Sequence, residues 1–158
     1  MSDNNQVNKM DVYKQTTITL ETVLESEQGN WNKIISSMIF KMKSDIKYIH
    51  DAGADAINYS QLVTADIRKY ALIIHKENKL LKGLIKSRFE WYSTQYQITV
   101  KNSGDKMKLI ESDVAEIQYK IDLLDTHIDY LKTTGDNLKQ MGYTIKNRIE
   151  LLNILGAS

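Results

Sequence analysis

The segment from Arg68 to Tyr92 holds the residues best suited to chemistry with a ligand. At about 100° per residue, Arg68, Lys76, Lys79, Lys82 and Lys86 fall within roughly one third of a helix circumference. Ile67, Ala71, Ile74, Leu81, Leu84 and Ile85 fall on the other side. One face is therefore expected to pack while the other presents a cationic stripe. Lysines crowded on one face repel slightly, a cost that a polyanion relieves. Arg88 departs from this pattern and lies amid the apolar side. Three readings of it are open: the helix ends before it, it reaches through a subunit contact, or it pairs with a buried carboxylate. Phe89, Trp91, Tyr92 and Tyr96 follow at once. Cations that track a phosphate backbone beside rings that stack bases suit single-stranded nucleic acid. Trp91 is the stacking candidate, whereas Phe89 and Tyr92 read as core anchors at the end of the helix. The plainer reading of the same lysines is a solvated helix face.

Other chemistry finds little support. No Gly is followed by Lys, which excludes a phosphate-binding P-loop, and no glycine triplet fits a dinucleotide fingerprint. There is no His-Glu-x-x-His zinc motif, and His50, His75 and His127 are not clustered along the chain. His50-Asp51 with Asp55 has the residue types of a metal phosphohydrolase but lacks the further ligands such a site needs. Asp122, Asp125 and Asp129 share one helix face and could meet a divalent ion, though a solvated or ion-paired flank explains them as well. No nucleophile–base pair stands out. The expectation is a protein that is not an enzyme and uses no metal or cofactor.

The elements that must position the basic segment can be read from composition and periodicity. The 158 residues carry 21 Lys and Arg against 20 Asp and Glu, a net charge of +1, and contain no Cys and no Pro. Disulfides and thiol chemistry are thereby excluded, and nothing forbids long helices. The near-neutral sum hides a basic middle. Residues 68–101 hold eight cations against Glu77 and Glu90, net +6, whereas residues 1–31 are net −3 and residues 105–150 net −2. A local field of that sign attracts phosphate chains. The first 17 residues are polar, without a signal-peptide core, and the longest apolar run is Ala71 to Ile74, too short for a membrane span. The expected compartment is the cytoplasm, with no membrane partner.

The expected architecture is all-α. Residues 1–17 read as a flexible tail, followed by a short helix from Ile18 to about Gly29 and another from Trp31 to about Asp51. A break is expected at Asp51-Ala52-Gly53. A further helix begins near Ser60 or Thr64 and runs to about Trp91. Gln95 to Val100 is β-branched and aromatic, so one short extended segment near 95–100 fits. Asn102-Ser103-Gly104-Asp105 is the clearest turn signal. After it, Ile110, Val114, Ile117, Ile121, Leu124, Ile128, Leu131, Leu138, Ile145, Ile149 and Leu152 alternate at four and three, with Gly135 and Gly142 in the two skipped slots. Such a seam buries against another helix in coiled-coil fashion. The glycines either break it into a hairpin or allow close backbone approach within one long helix. The break at Gly135 is preferred, because Gly costs ~1 kcal/mol inside a helix and Asp136 can cap. The terminal stripe Leu138, Ile145, Ile149 and Leu152 is a candidate oligomerisation element.

At Lys86-Ser87-Arg88-Phe89-Glu90-Trp91-Tyr92-Ser93 the chain resembles the UvsY family of phage recombination mediators. That family has a Lys-x-Arg, an apolar and an acidic residue and an aromatic pair ending in Tyr-Ser, after a basic helix. Leu123-Leu124-Asp125, Leu138 and Gly142-Tyr143-Thr144-Ile145-Lys146 are similar to the family's C-terminal end. The resemblance covers about residues 60–155. It implies a non-enzymatic protein that forms rings, hexamers or heptamers, through C-terminal helices. It implies binding of single-stranded DNA and contacts to a RecA-like recombinase and a single-strand-binding protein, which the recombinase is helped to replace. Lys86 and Arg88 match the family's DNA-binding pair. On this reading residues 18–101 form the DNA-binding region, with Lys76, Lys79, Lys82, Lys86, Arg88 and Trp91 as contacts, and residues 105–158 the oligomerisation region. The alternative is a structural coiled-coil oligomer, a virion or scaffold component, with no nucleic acid role.

Overall fold

The computed structural model describes the backbone of residues 3–96 and 102–156, and the side chains from residue 16 onward within those spans except that of Ile46. Three long helices account for nearly all of it: α1 (Asp3–Met42), α2 (Ile46–Thr94) and α3 (Ser103–Ile154). Helix is the only regular structure among the described residues, as the absence of proline allows. Residues 3–17, read from sequence as a tail, are helical in backbone. The extended segment expected near 95–100 falls mostly outside the described residues. Gln95 and Tyr96 close α2 with amide bonds to the Trp91 carbonyl at 2.9 and 3.1 Å.

The helix boundaries correct the sequence reading in three places. No break occurs at Gly29, at Asp51-Ala52-Gly53 or at Gly135. The first turn falls instead at Lys43-Ser44-Asp45, where the Asp45 carbonyl accepts the first amides of α2 from Tyr48 and Ile49. Ser and Asp are favoured N-cap types, a signal that needs neither Gly nor Pro. Gly53 and Gly135 stay helical because neighbouring helices lie close there. A Cβ on Gly53 would sit 3.5 Å from Ile145 Cγ2, and one on Gly135 only 3.3 Å from Val63 Cγ1. Close packing outweighs the propensity cost of each Gly. The turn signal at Asn102 does open α3: the Asn102 side-chain oxygen accepts the Gly104 amide at 2.9 Å, an N-cap bond. At the other end, Gly156 takes φ +69°, the left-handed conformation that terminates helices and suits Gly.

The chain folds as two compact units. The first comprises Met1–Thr22 and Ala71–Thr126, the second Val23–Tyr70 and His127–Ser158. The core of the first is Leu81 and Tyr92 of α2 with Ile110, Val114, Ile117 and Ile121 of α3. Two ion pairs fix the register inside it: Glu77 with Lys120 at 2.6 Å, and Arg88 with Asp113 at 3.5 Å. The core of the second unit is Met38, Ile49, Ala52, Ala56 and Ile145. Its polar interior is organised by the buried His127, which bonds to Glu27 at 3.1 Å and meets the Tyr70 ring edge-on. Tyr70 donates to the same Glu27 carboxylate at 2.6 Å. Burial and then that hydrogen bond push the Tyr70 phenol up from its ordinary pKa. The long apolar seam of α3 from Ile110 to Ile145 is thus buried inside the chain itself.

Candidate nucleic-acid interface

The basic face belongs to the first unit and stands on the solvent side of α2. Lys76, Lys79, Lys82 and Lys86 are all exposed. None of them has an ion-pair partner among the described residues. The helix turns this face outward because Ile74, Leu81, Leu84 and Ile85 occupy the opposite side and close the core. Four unpaired ammonium groups over three turns, with the exposed Glu90 one turn beyond Lys86, leave a net positive field that attracts a phosphate chain. Along the same helix the acidic partner Glu77 points inward and is spent on Lys120. In this unit the two ion pairs lie inside and the four free lysines outside.

Arg88 does not join the lysines. Its side chain is three-quarters buried on the inward face, with Nε 3.5 Å from Asp113 Oδ2 and the guanidinium 5.6 Å from the Trp91 ring centroid. Of the three sequence readings, pairing with a partly buried carboxylate describes this geometry. Tyr92 donates to the same Asp113 oxygen at 2.9 Å. Burial first, and this hydrogen bond second, push its phenol up to about 12. Arg88, Asp113 and Tyr92 therefore clamp the end of α2 to the start of α3.

The aromatic cluster follows the sequence expectation at Tyr92, which is buried, and departs from it at Phe89. Trp91 is half-buried and packs on the core with Tyr92 and Tyr96, at ring separations of 4.8 and 5.0 Å. Phe89, read as a core anchor, is exposed. A signal for this was available, since Phe89 lies three residues after Lys86 and seven after Lys82, on the outward face. Nothing in the sequence around Lys106 of α3 marks it as part of this face. Its ammonium stands 5.3 Å from the Phe89 ring centroid and donates to Ser93 Oγ at 3.1 Å. Only the fold brings it there.

In the second unit, Leu138 and Ile145 are buried in the chain's own core, with Ile149 and Leu152 packed partly against it. The apolar side chains left exposed near the end of α3 are Tyr143, Leu151, Ile154 and Leu155. Beside them an open groove of about 940 Å³ runs between α2 and α3, lined by Ala56, Ile57, Ile149, Lys139 and Lys146 among others. The histidine and aspartates singled out in the sequence are not gathered with further ligands among the described residues. Asp55 is taken by Lys41 at 2.5 Å, His50 is exposed, and no cluster of three metal-ligating residues occurs among the described residues. No helix among the described residues is long and apolar enough to cross a membrane.

No curated protein and no solved structure matches the chain. A family model does match, over residues 53–156, and its description is recombination, repair and ssDNA binding protein UvsY. The matched span contains the outward lysines, the Arg88–Asp113 clamp, the aromatic end of α2 and all of α3. With two thirds of its length matched, the chain belongs to the UvsY family of recombination, repair and single-stranded-DNA-binding proteins.

Proposed function

We propose that this chain is a non-enzymatic recombination mediator of phage recombination and repair, acting in the host cytoplasm. It binds single-stranded DNA and helps load a RecA-like recombinase onto strands covered by single-strand-binding protein. The observation that carries this reading is the outward row Lys76, Lys79, Lys82 and Lys86, exposed and without ionic partners among the described residues, within the span matched to the family. Contacts of this kind bind the backbone, release counterions and favour no sequence. A single row of four is a modest site, so the reading also requires several copies acting together. A ring-shaped homo-oligomer of six or seven subunits supplies that avidity. The exposed Tyr143, Leu151, Ile154 and Leu155, with the neighbouring groove, support a subunit contact through residues 105–158. Ile149 and Leu152 would join that contact, while Leu138 and Ile145 support it from the core.

The mechanism follows from mass action. A ring wraps the strand, competes with the single-strand-binding protein for backbone, and holds DNA in a form the recombinase can take up. The test is a fluorescence-anisotropy titration of labelled oligothymidine across a salt series, with light scattering on the same sample. Salt-sensitive binding by a closed oligomer is expected, and addition of the protein should shorten the lag of recombinase filament formation on coated strands. A well-folded oligomer that fails to bind at low salt would leave a structural coiled-coil role instead.

A further inference from the structure

We propose that Phe89 is a base-stacking platform set into the cationic row, with Lys82 and Lys86 on α2 and Lys106 on α3 holding the flanking phosphates. The inference rests on the single-strand-binding reading above and names the group that would read the bases. Three observations converge on it. Phe89 is 42% exposed although its neighbours Trp91 and Tyr92 turn inward and pack. It lies on the same outward face as the free lysines, about 4.5 Å of helix rise from Lys86 and about 10.5 Å from Lys82. Lys106 approaches the ring from a second helix, anchored on Ser93 Oγ.

An exposed aromatic ring with the Lys106 ammonium over it and free lysines on the same helix face is a poor docking point for a neutral protein surface. It suits a ligand that is anionic and carries flat π-faces at close intervals, and a single-stranded nucleic acid is that ligand. Lys106 on the ring adds a cation–π contact that limits rotation of the side chain before the base arrives. The platform is sequence-tolerant, since every base has a π-face. It also gives a preference for single strands, because bases in a duplex are already stacked on one another.

The test compares oligothymidine with an abasic strand of equal length and charge, using the full-length protein and the variants Phe89→Leu and Phe89→Trp. Wild-type protein is expected to bind oligothymidine more tightly than the abasic strand. Phe89→Leu should weaken oligothymidine binding about 5- to 150-fold for each engaged ring, the span one stack carries. Its abasic binding and salt dependence should stay as in wild type, and Phe89→Trp should keep the preference. If Phe89→Leu binds oligothymidine as wild type does, the platform is overturned while single-strand binding stands. Equal losses on both strands overturn it too, since they mark a structural defect. If wild type binds neither strand, the single-strand-binding reading itself falls, an outcome distinct from the other two.

Discussion

Lys86 and Arg88 are two residues apart, yet the structure places them on opposite faces of α2, one exposed and one paired with Asp113, and paired substitutions separate what each contributes. Lys86 faces solvent, so Lys86→Ala should leave folding unchanged. It should remove one backbone contact per engaged subunit. Each such contact contributes about −0.7 to the slope of log K against log salt for single strands. The row of four lysines then accounts for a slope of about −3 per subunit, and Lys86→Ala lowers its magnitude by about 0.7. Between 50 and 200 mM salt that single contact changes affinity roughly 2.6-fold, a factor that repeats for each engaged subunit. Arg88→Ala acts elsewhere. It strips Asp113 of its cation in a setting where both side chains are about 27–28% exposed, and leaves Tyr92 as the carboxylate's remaining partner. Partial exposure and the 3.5 Å separation discount the loss to about 1–2 kcal/mol. That corresponds to roughly 3–6 °C in melting temperature for a chain of this size. Urea denaturation followed by circular dichroism reads the stability, and anisotropy across a salt series reads the slope. An Arg88→Ala protein that keeps full stability but loses as much slope as Lys86→Ala would refute the inward assignment and place Arg88 on the DNA.

Gly83 lies on the solvent side of α2 with nothing within 4 Å of an added Cβ, so Gly83→Ala should raise stability by about 1 kcal/mol in a urea melt. Gly135→Ala brings its methyl within 3.3 Å of Val63 and should fall at least ~1 kcal/mol short of that gain. The phenol of Tyr92, pushed up to about 12, keeps its proton in the folded chain where an unfolded one loses it near pH 10. Its contribution is full below pH 10 and is lost as pH rises toward 12. Stability should therefore drop by roughly 1 kcal/mol between pH 9 and 11 from this group alone, and the Tyr92→Phe protein should lack that part of the decline. Leu151→Ser with Ile154→Ser alters side chains that are exposed in the single chain. Light scattering should register a smaller particle at unchanged helicity, whereas Leu138→Ala, at a fully buried site, should cost about 2–5 kcal/mol.

The sequence by itself determined the helical class, the basic face and the buried seam. Absent proline and sustained 3–4 spacing leave few alternatives to long helices, and the period of the lysines against Ile74, Leu81, Leu84 and Ile85 fixes which side faces water. The Asn102 turn was legible because its side chain caps locally. Where the helices break was not, since the cost of Gly53 or Gly135 is a local quantity while the gain from close approach to Ile145 or Val63 depends on a distant segment. The aromatic end of α2 was decided the same way. Trp91 is drawn inward by Tyr92, Tyr96 and the core, and Phe89 is left outside to meet Lys106, a residue 17 positions away that only the return of α3 brings near. Arg88 found Asp113 by that same return. Local spacing sets which face a residue occupies; only tertiary packing settles what stands opposite it, because the energy of a contact belongs to both partners.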